Sequence, residues 1–298
     1  MRLPRLILSA LLVVLSVAVV KGQQQFQIFA SIVEAASGAP VKSLEPADVK
    51  VVENGVEAPV ARIDPIEWPM KVQLLVDNGA GLGSENLQHL RNGVKGFLEA
   101  MPAGVEVSLL STAPQARFIV RPTTDRIQML DGVGRLTPDS GTGRFVESQN
   151  EAAQRIEKDE KDHFPVIVIA GTSSGDSNVL ERDIQRLMQR LQKRPATVHV
   201  VLLTNVRTAS GGSVQTNVGL AITQMTGGKY EGIAAASRLA TLLPEIGAQV
   251  AKSHEKQSHQ FRITVERPKG ASGDLGNIGM SVRSGLRTAG LSRDGRLP

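Results

Sequence analysis

The pentapeptide Gly171-Thr172-Ser173-Ser174-Gly175 stands between an apolar run and a helical pattern. In a strand–turn–helix setting, G-x-S-x-G can present a serine hydroxyl as a nucleophile. An acid and then a histidine must follow, and Asp183 with His254 or His259 stand in that order. Against this reading, no upstream His-Gly-Gly stretch offers an oxyanion hole, and both histidines lie in the polar stretch 252–260. Three fixed positions also recur easily by chance in a chain with 29 glycines. A second turn, Gly79-Ala80-Gly81-Leu82-Gly83, is like a dinucleotide-binding turn, but its third glycine comes one place early. Ser111 and Thr112 stand where an acidic partner for ribose should be. His254 and His259 are five apart, off the i, i+4 spacing that places two metal ligands on one helical face. His89, His163 and His199 are isolated, and each reads as a surface or internally bonded side chain.

These residues need elements to hold them. Phe26–Val33, Asp48–Glu53 and Glu57–Ile66 read as strands, and Asn54-Gly55 signals a hairpin. From Lys71 the pattern changes. Val72–Val76 is a nearly continuous apolar strand, typical of a parallel sheet covered on both faces. Leu87, Leu90, Val94, Phe97 and Leu98 follow at helical spacing. Strands at 105–110, 117–120, 166–170 and 198–203 then alternate with helices. Thr124 is placed to cap one helix, and Asn178 with Glu181 fits a capping box. The expected fold is α/β, a Rossmann-like, mostly parallel sheet with helices on both faces, flanked by short β segments. The predicted division is a signal peptide (1–22), an N-terminal β segment (23–68), the α/β domain (69–252), a C-terminal β segment (253–284) and a disordered basic tail (285–298). The late β segment is expected to pair with the early one, which is too small to bury a core alone.

In an open parallel sheet, ligands bind at the carboxyl ends of the strands. Three loops are expected there, at 77–81, 137–142 and 171–176. Their order, with Pro40-Val41, Val52-Glu53-Asn54-Gly55, Leu74-Leu75-Val76-Asp77, Phe118 to Arg126, Thr226 to Tyr230 and Arg262 to Pro268, resembles the von Willebrand factor type A domain. More closely, the chain resembles bacterial secreted proteins that flank such a domain with β segments. The resemblance implies a divalent metal site that helps hold an acidic group of a partner. In that family an Asp and two Ser come from the first loop, a Thr from the second and an Asp from the third. Here Asp77 and Thr142 remain, while Gly79, Gly81 and Gly171 occupy the other positions. A hard cation such as Mg²⁺ wants about six oxygens, and three of these positions supply no side-chain oxygen. The expectation is a vestigial site and no cofactor, with a metal-dependent adhesion module as an alternative if Asp176, Ser173 or Asp139 stand in. In the vestigial site Asp77 would bond the next backbone amides, and Thr142 would cap a helix. The partner-binding edge is expected at Asp77, Asn78, Thr142, Ser173 and Asp176.

Composition limits the function classes. The 298 residues are 41% hydrophobic and 21% charged, so a packed core is expected. No cysteine is present, which excludes disulfides, thiolate metal sites and a cysteine nucleophile. Aromatic residues are 3%, too few for a base-stacking platform. The net charge of +5 is concentrated at the ends, in Arg2, Arg5 and Lys21 and in Arg283, Arg287, Arg293 and Arg296. The middle is near neutral, so no nucleic-acid partner is expected. Arg2 and Arg5 precede the apolar run Leu6–Val20, which reads as a secretory signal cut near Gly22. The run is short of the roughly 20 residues a spanning helix wants. The expected protein is therefore exported, periplasmic or extracellular, and after signal cleavage has no membrane span. Its expected role is non-catalytic binding of a protein partner or assembly. The competing expectation is a serine hydrolase using Ser173.

Overall fold

The computed structural model describes residues 24–174, 179–204 and 212–295. The predicted leader, Asp176 and Asn178 lie outside these described residues. The chain begins with β1 (Gln25–Glu34), β2 (Val49–Glu53), β3 (Val56–Ala58) and β4 (Val60–Pro65). It continues through β5 (Met70–Val76), α1 (Leu87–Ala100), β6 (Glu106–Ser111), β7 (Arg117–Thr123), α2 (Arg126–Gly134) and α3 (Phe145–Lys158). Then come β8 (Phe164–Thr172), α4 (Glu181–Lys193), β9 (Thr197–Leu203), α5 (Gly212–Thr226), β10 (Tyr230–Ile233) and α6 (Leu239–Gln257). β11 (Gln260–Glu266), β12 (Ile278–Val282) and β13 (Leu286–Ser292) close the order.

The six-stranded central sheet runs β10-β9-β8-β5-β6-β7, with β7 antiparallel and the others parallel. Alternate side chains explain why its strands are apolar throughout. Val72, Leu74 and Val76 of β5 enter a core with α1, α2 and α6, while Leu75 enters the opposite core with α3, α4 and α5. The expected α/β sheet with helices on both faces is therefore present. α1 and α6 pack closely because α1 carries glycines at the contact: a Cβ on Gly93 would collide with the Leu239 carbonyl, and one on Gly96 would lie 2.5 Å from Pro244 Cγ.

Two local expectations are corrected. Asp125, one residue after Thr124, caps α2, its carboxylate accepting from the Ile127 and Gln128 amides. A carboxylate at this end is also favoured by the helix dipole. At α4, Asp183 accepts from the Leu180 amide at 3.2 Å, while Asn178 falls outside the described residues.

The two ends of the chain build a β sandwich. One sheet runs β13-β1-β11-β4 and the other β12-β2-β3. β11 pairs with both β1 and β4, and β12 with β2, all antiparallel, as the expected pairing of late and early segments requires. Asn54 and Gly55, with φ of 51° and 82°, turn β2 into β3. Ile28, Ile32, Val51 and Ile263 bury a core there that neither end could enclose alone. The sequence predicts a disordered tail over 285–298, and for its described residues the structure differs. Leu286–Ser292 forms β13 along β1, with Leu286 and Leu291 packed on the sandwich core. Its Arg-Thr-Ala-Gly composition hides a strand whose partner lies more than 250 residues earlier. Trp68 joins the two units, its ring between Phe29 of β1 and Phe164 of β8 at 5.5 and 5.4 Å.

Candidate functional site

After β5 the chain turns to β6 on one side, and later returns as β8 on the other. The carboxyl ends of β5 and β8 therefore flank the switch point, where open sheets place their ligands. Asp77 stands there, only 3% exposed. Its amide donates to the Ala170 carbonyl at 2.8 Å. Its Oδ1 accepts from the Gly79 amide at 2.8 Å, as expected of a strand-end aspartate. Its Oδ2 accepts from Thr172 Oγ1 at 2.6 Å. Thr172 Oγ1 in turn lies 2.8 Å from Ser174 Oγ. Burial pushes the Asp77 carboxyl above its ordinary pKa, while the bonds from Thr172 and Gly79 pull it back.

Backbone bonds tie the neighbouring loops to this centre. The Ala80 amide donates to the Gly141 carbonyl at 2.9 Å, and the Asp139 amide to the Asn78 carbonyl at 2.8 Å. Asn78 Nδ2 donates to the Thr137 carbonyl at 2.7 Å. The Ser173 amide donates to the Leu203 carbonyl of β9 at 2.9 Å. The structure thus brings Asp77, Asn78 and Ser173 together, all three buried. Thr142 lies on the same loop cluster and is exposed. It does not cap α3, whose N-cap position is Arg144.

The glycines of this edge serve packing. A Cβ on Gly79 would collide with the Gly141 carbonyl, and one on Gly81 with Ser174 Oγ. A Cβ on Gly143 would strike the Asp77 carboxylate. The close approach that makes Gly79-Ala80-Gly81-Leu82-Gly83 like a dinucleotide turn is therefore an approach between loops of the chain itself.

The acid and histidines that follow Ser173 in sequence sit on other elements, Asp183 on α4 and His254 on α6. The turn just before α6, at Ala235, Ala236 and Ser237, shares a cleft of about 460 Å³ with Gly81 and Leu203 at this edge. His254 lies 15 residues along α6 from Leu239, roughly 22 Å at 1.5 Å per residue. His259 follows the helix, where the chain enters the sandwich through Gln260 and Ser31. Asp183 bonds the α4 terminus.

Among the described residues, those at this edge are a poor match for a hard divalent cation. Both Asp77 oxygens already accept hydrogen bonds within the chain, and Gly79, Gly81 and Gly171 carry no donor atom. Asp139 accepts from the Gly141 amide at 2.8 Å and faces Arg117 at 3.6 Å. Among the described residues, no group of three or more metal-ligating side chains gathers.

Sequence reasoning passed over Thr172 and Ser174. Thr172 ends β8 and Ser174 follows in the loop, so their contact depends on the path of the chain after the strand.

No family model matches the sequence. No curated protein matches it either. The structure is similar to that of a von Willebrand factor type A protein from Catenulispora acidiphila, with a TM-score of 0.53 and 11% identity over 92% of this chain and 74% of that one. It aligns less fully with BatB from Bacteroides thetaiotaomicron (TM-score 0.47, 14% identity, 62% of this chain and 100% of that one). The von Willebrand factor domain of the pilus tip protein Mfa5 from Porphyromonas gingivalis aligns similarly (TM-score 0.47, 11% identity, 62% and 96%). At these identities the likeness concerns the fold. Given the strand order, the helices on both faces and the first of these likenesses, this chain has the von Willebrand factor type A fold.

Proposed function

We propose that the chain is an exported, non-catalytic protein-binding or assembly module that docks its partner at the carboxyl edge of the central sheet without a metal ion. The observation that supports this most is the joining of three loops, at 77–83, 137–143 and 171–174, into one edge by hydrogen bonds within the chain. Asp77, Asn78 and Ser173 shape that edge from beneath, and the exposed Ala80, Ser140 and Thr142 meet the partner. Export rests on the leader read from Arg2 to Gly22. Among the described residues, no helix is long and apolar enough to cross a membrane.

Photo-crosslinking in the producing cell tests the docking edge. A crosslinking residue at Ser140 or Thr142 should give one discrete adduct, while one at the exposed Glu99, at the far end of α1, should not. The adduct should survive a chelator. Equal yields from all three positions would refute the docking edge. Ester turnover by the purified protein that disappears in Ser173→Ala would refute the non-catalytic reading.

A further inference from the structure

The edge has the topology of a cation site but the bonding of a closed one. Ser174 Oγ fills the space that a side chain at residue 81 would enter, and Thr172 Oγ1 would lie 2.5 Å from a Cβ there. Thr172 bridges Asp77 Oδ2 and Ser174 Oγ, at 2.6 and 2.8 Å. Asp77 Oδ1 holds the Gly79 amide of the first loop at 2.8 Å. A continuous path of hydrogen bonds therefore runs from the first loop to the third through one carboxylate. Thr172, Ser173 and Ser174 are each less than a tenth exposed, so water has little access to compete for these bonds.

We infer that Thr172 and Ser174 are positioning residues that replace a divalent cation at this edge, holding the β5 and β8 loops together through Asp77. This concerns how the edge is held, and stands whether or not a partner docks there. It carries a steric corollary. Restoring serine at residue 81 cannot open a cation site while Ser174 occupies the same space. Gly81→Ser must displace Ser174 Oγ, and Ser174→Gly provides the room.

The test uses the full chain, with thermal unfolding and amide hydrogen exchange as readouts. The wild-type Tm should be the same in chelator and in excess Mg²⁺ or Mn²⁺, because an ion that binds the folded state alone would raise it. Thr172→Val keeps the side chain's shape and removes its hydroxyl. It should lower Tm by several degrees and speed exchange at Gly79 and Ala80 more than at Leu74, within β5. Ser174→Ala should act in the same direction and less strongly. Gly81→Ser should lower Tm, and adding Ser174→Gly should recover part of the loss. A wild-type Tm that rises with either ion would overturn the inference. So would Thr172→Val with unchanged Tm and unchanged exchange at Gly79. If Thr172→Val fails to fold, Ser174→Ala and the Gly81 pair decide the question by the same criteria.

Discussion

His199 lies on β9, 3% exposed, and its Nδ1 accepts the Lys229 amide at 3.2 Å. Burial, aided by the Lys229 charge, lowers its pKa to about 4. In the unfolded chain the group titrates near 6.5. Between these values the unfolded chain holds a proton that the folded one refuses, so stability is full above about 6.5 and falls as pH drops toward 4. The loss expected from this residue is about 3 kcal/mol across that window. His199→Gln should flatten this slope in urea unfolding at pH 7 and pH 5. An unchanged slope would show that another group carries it. The sequence left His199 as an isolated histidine, either on the surface or internally bonded, and the structure buries it with the Lys229 amide as donor to its ring. Asp77 was equally legible as a strand-end aspartate. The role of Thr172 was not, because it depends on β8 lying beside β5.

At the scale of elements, α1 and α6 show how a sequence pattern underspecifies packing. The apolar stripe of α1 reads directly as helical, but Gly93 and Gly96 appear in it only as weak points. In the fold they set the helix separation, since Gly93 abuts the Leu239 carbonyl and Gly96 the Pro244 ring. Gly93→Ala would ordinarily favour a helix. Here it should destabilise the protein by about 1–3 kcal/mol, because the new methyl meets a backbone atom that cannot rotate away. Denaturant midpoints would check this, with a stabilised variant counting against the close contact. Elements with strong periodicity were readable in this way. Caps were less so: Thr124 and Asp125 are both acceptable capping residues, and only the backbone path chooses Asp125.

At the scale of the whole molecule, the two chain ends are joined by Arg267 and Glu53. Arg267 Nη2 and Nε bond the two carboxylate oxygens of Glu53, and Arg267 also donates to the Gly273 and Asp274 carbonyls. The bond from Arg267 holds the Glu53 carboxyl below its usual range. A carboxyl with a depressed folded pKa adds stability above its unfolded value, and that stability is lost as pH falls through the folded one. Glu53→Gln should therefore lower Tm at neutral pH and reduce the further loss on acidification, measured by thermal unfolding from pH 7 to pH 3. A second test concerns Trp68, the chain's one tryptophan. Gly295 packs against its ring, and the Gly295 carbonyl accepts from Gln260 Nε2 at 2.8 Å. Truncation after Val282 removes β13 and this cover. Trp68 emission should shift to the red and Tm should fall. Emission unchanged by the truncation would mean that the C-terminal strand does not close over the junction.

The sequence by itself determined the alternation of apolar strands and amphipathic helices from Met70 onward, since period and length suffice to read each element locally. It also determined that Gly79, Gly81 and Gly171 offer no side-chain oxygen wherever they lie. Tertiary structure alone decided that Leu286–Ser292 is a strand, since its hydrogen-bond partner β1 lies at the other end of the chain. It alone decided that Ser174 fills the space beside Gly81 and that Thr172 reaches Asp77, two residues 95 positions apart. Local pattern fixes which residues can form an element. Contacts across that separation exist only once β5 and β8 lie side by side in the sheet.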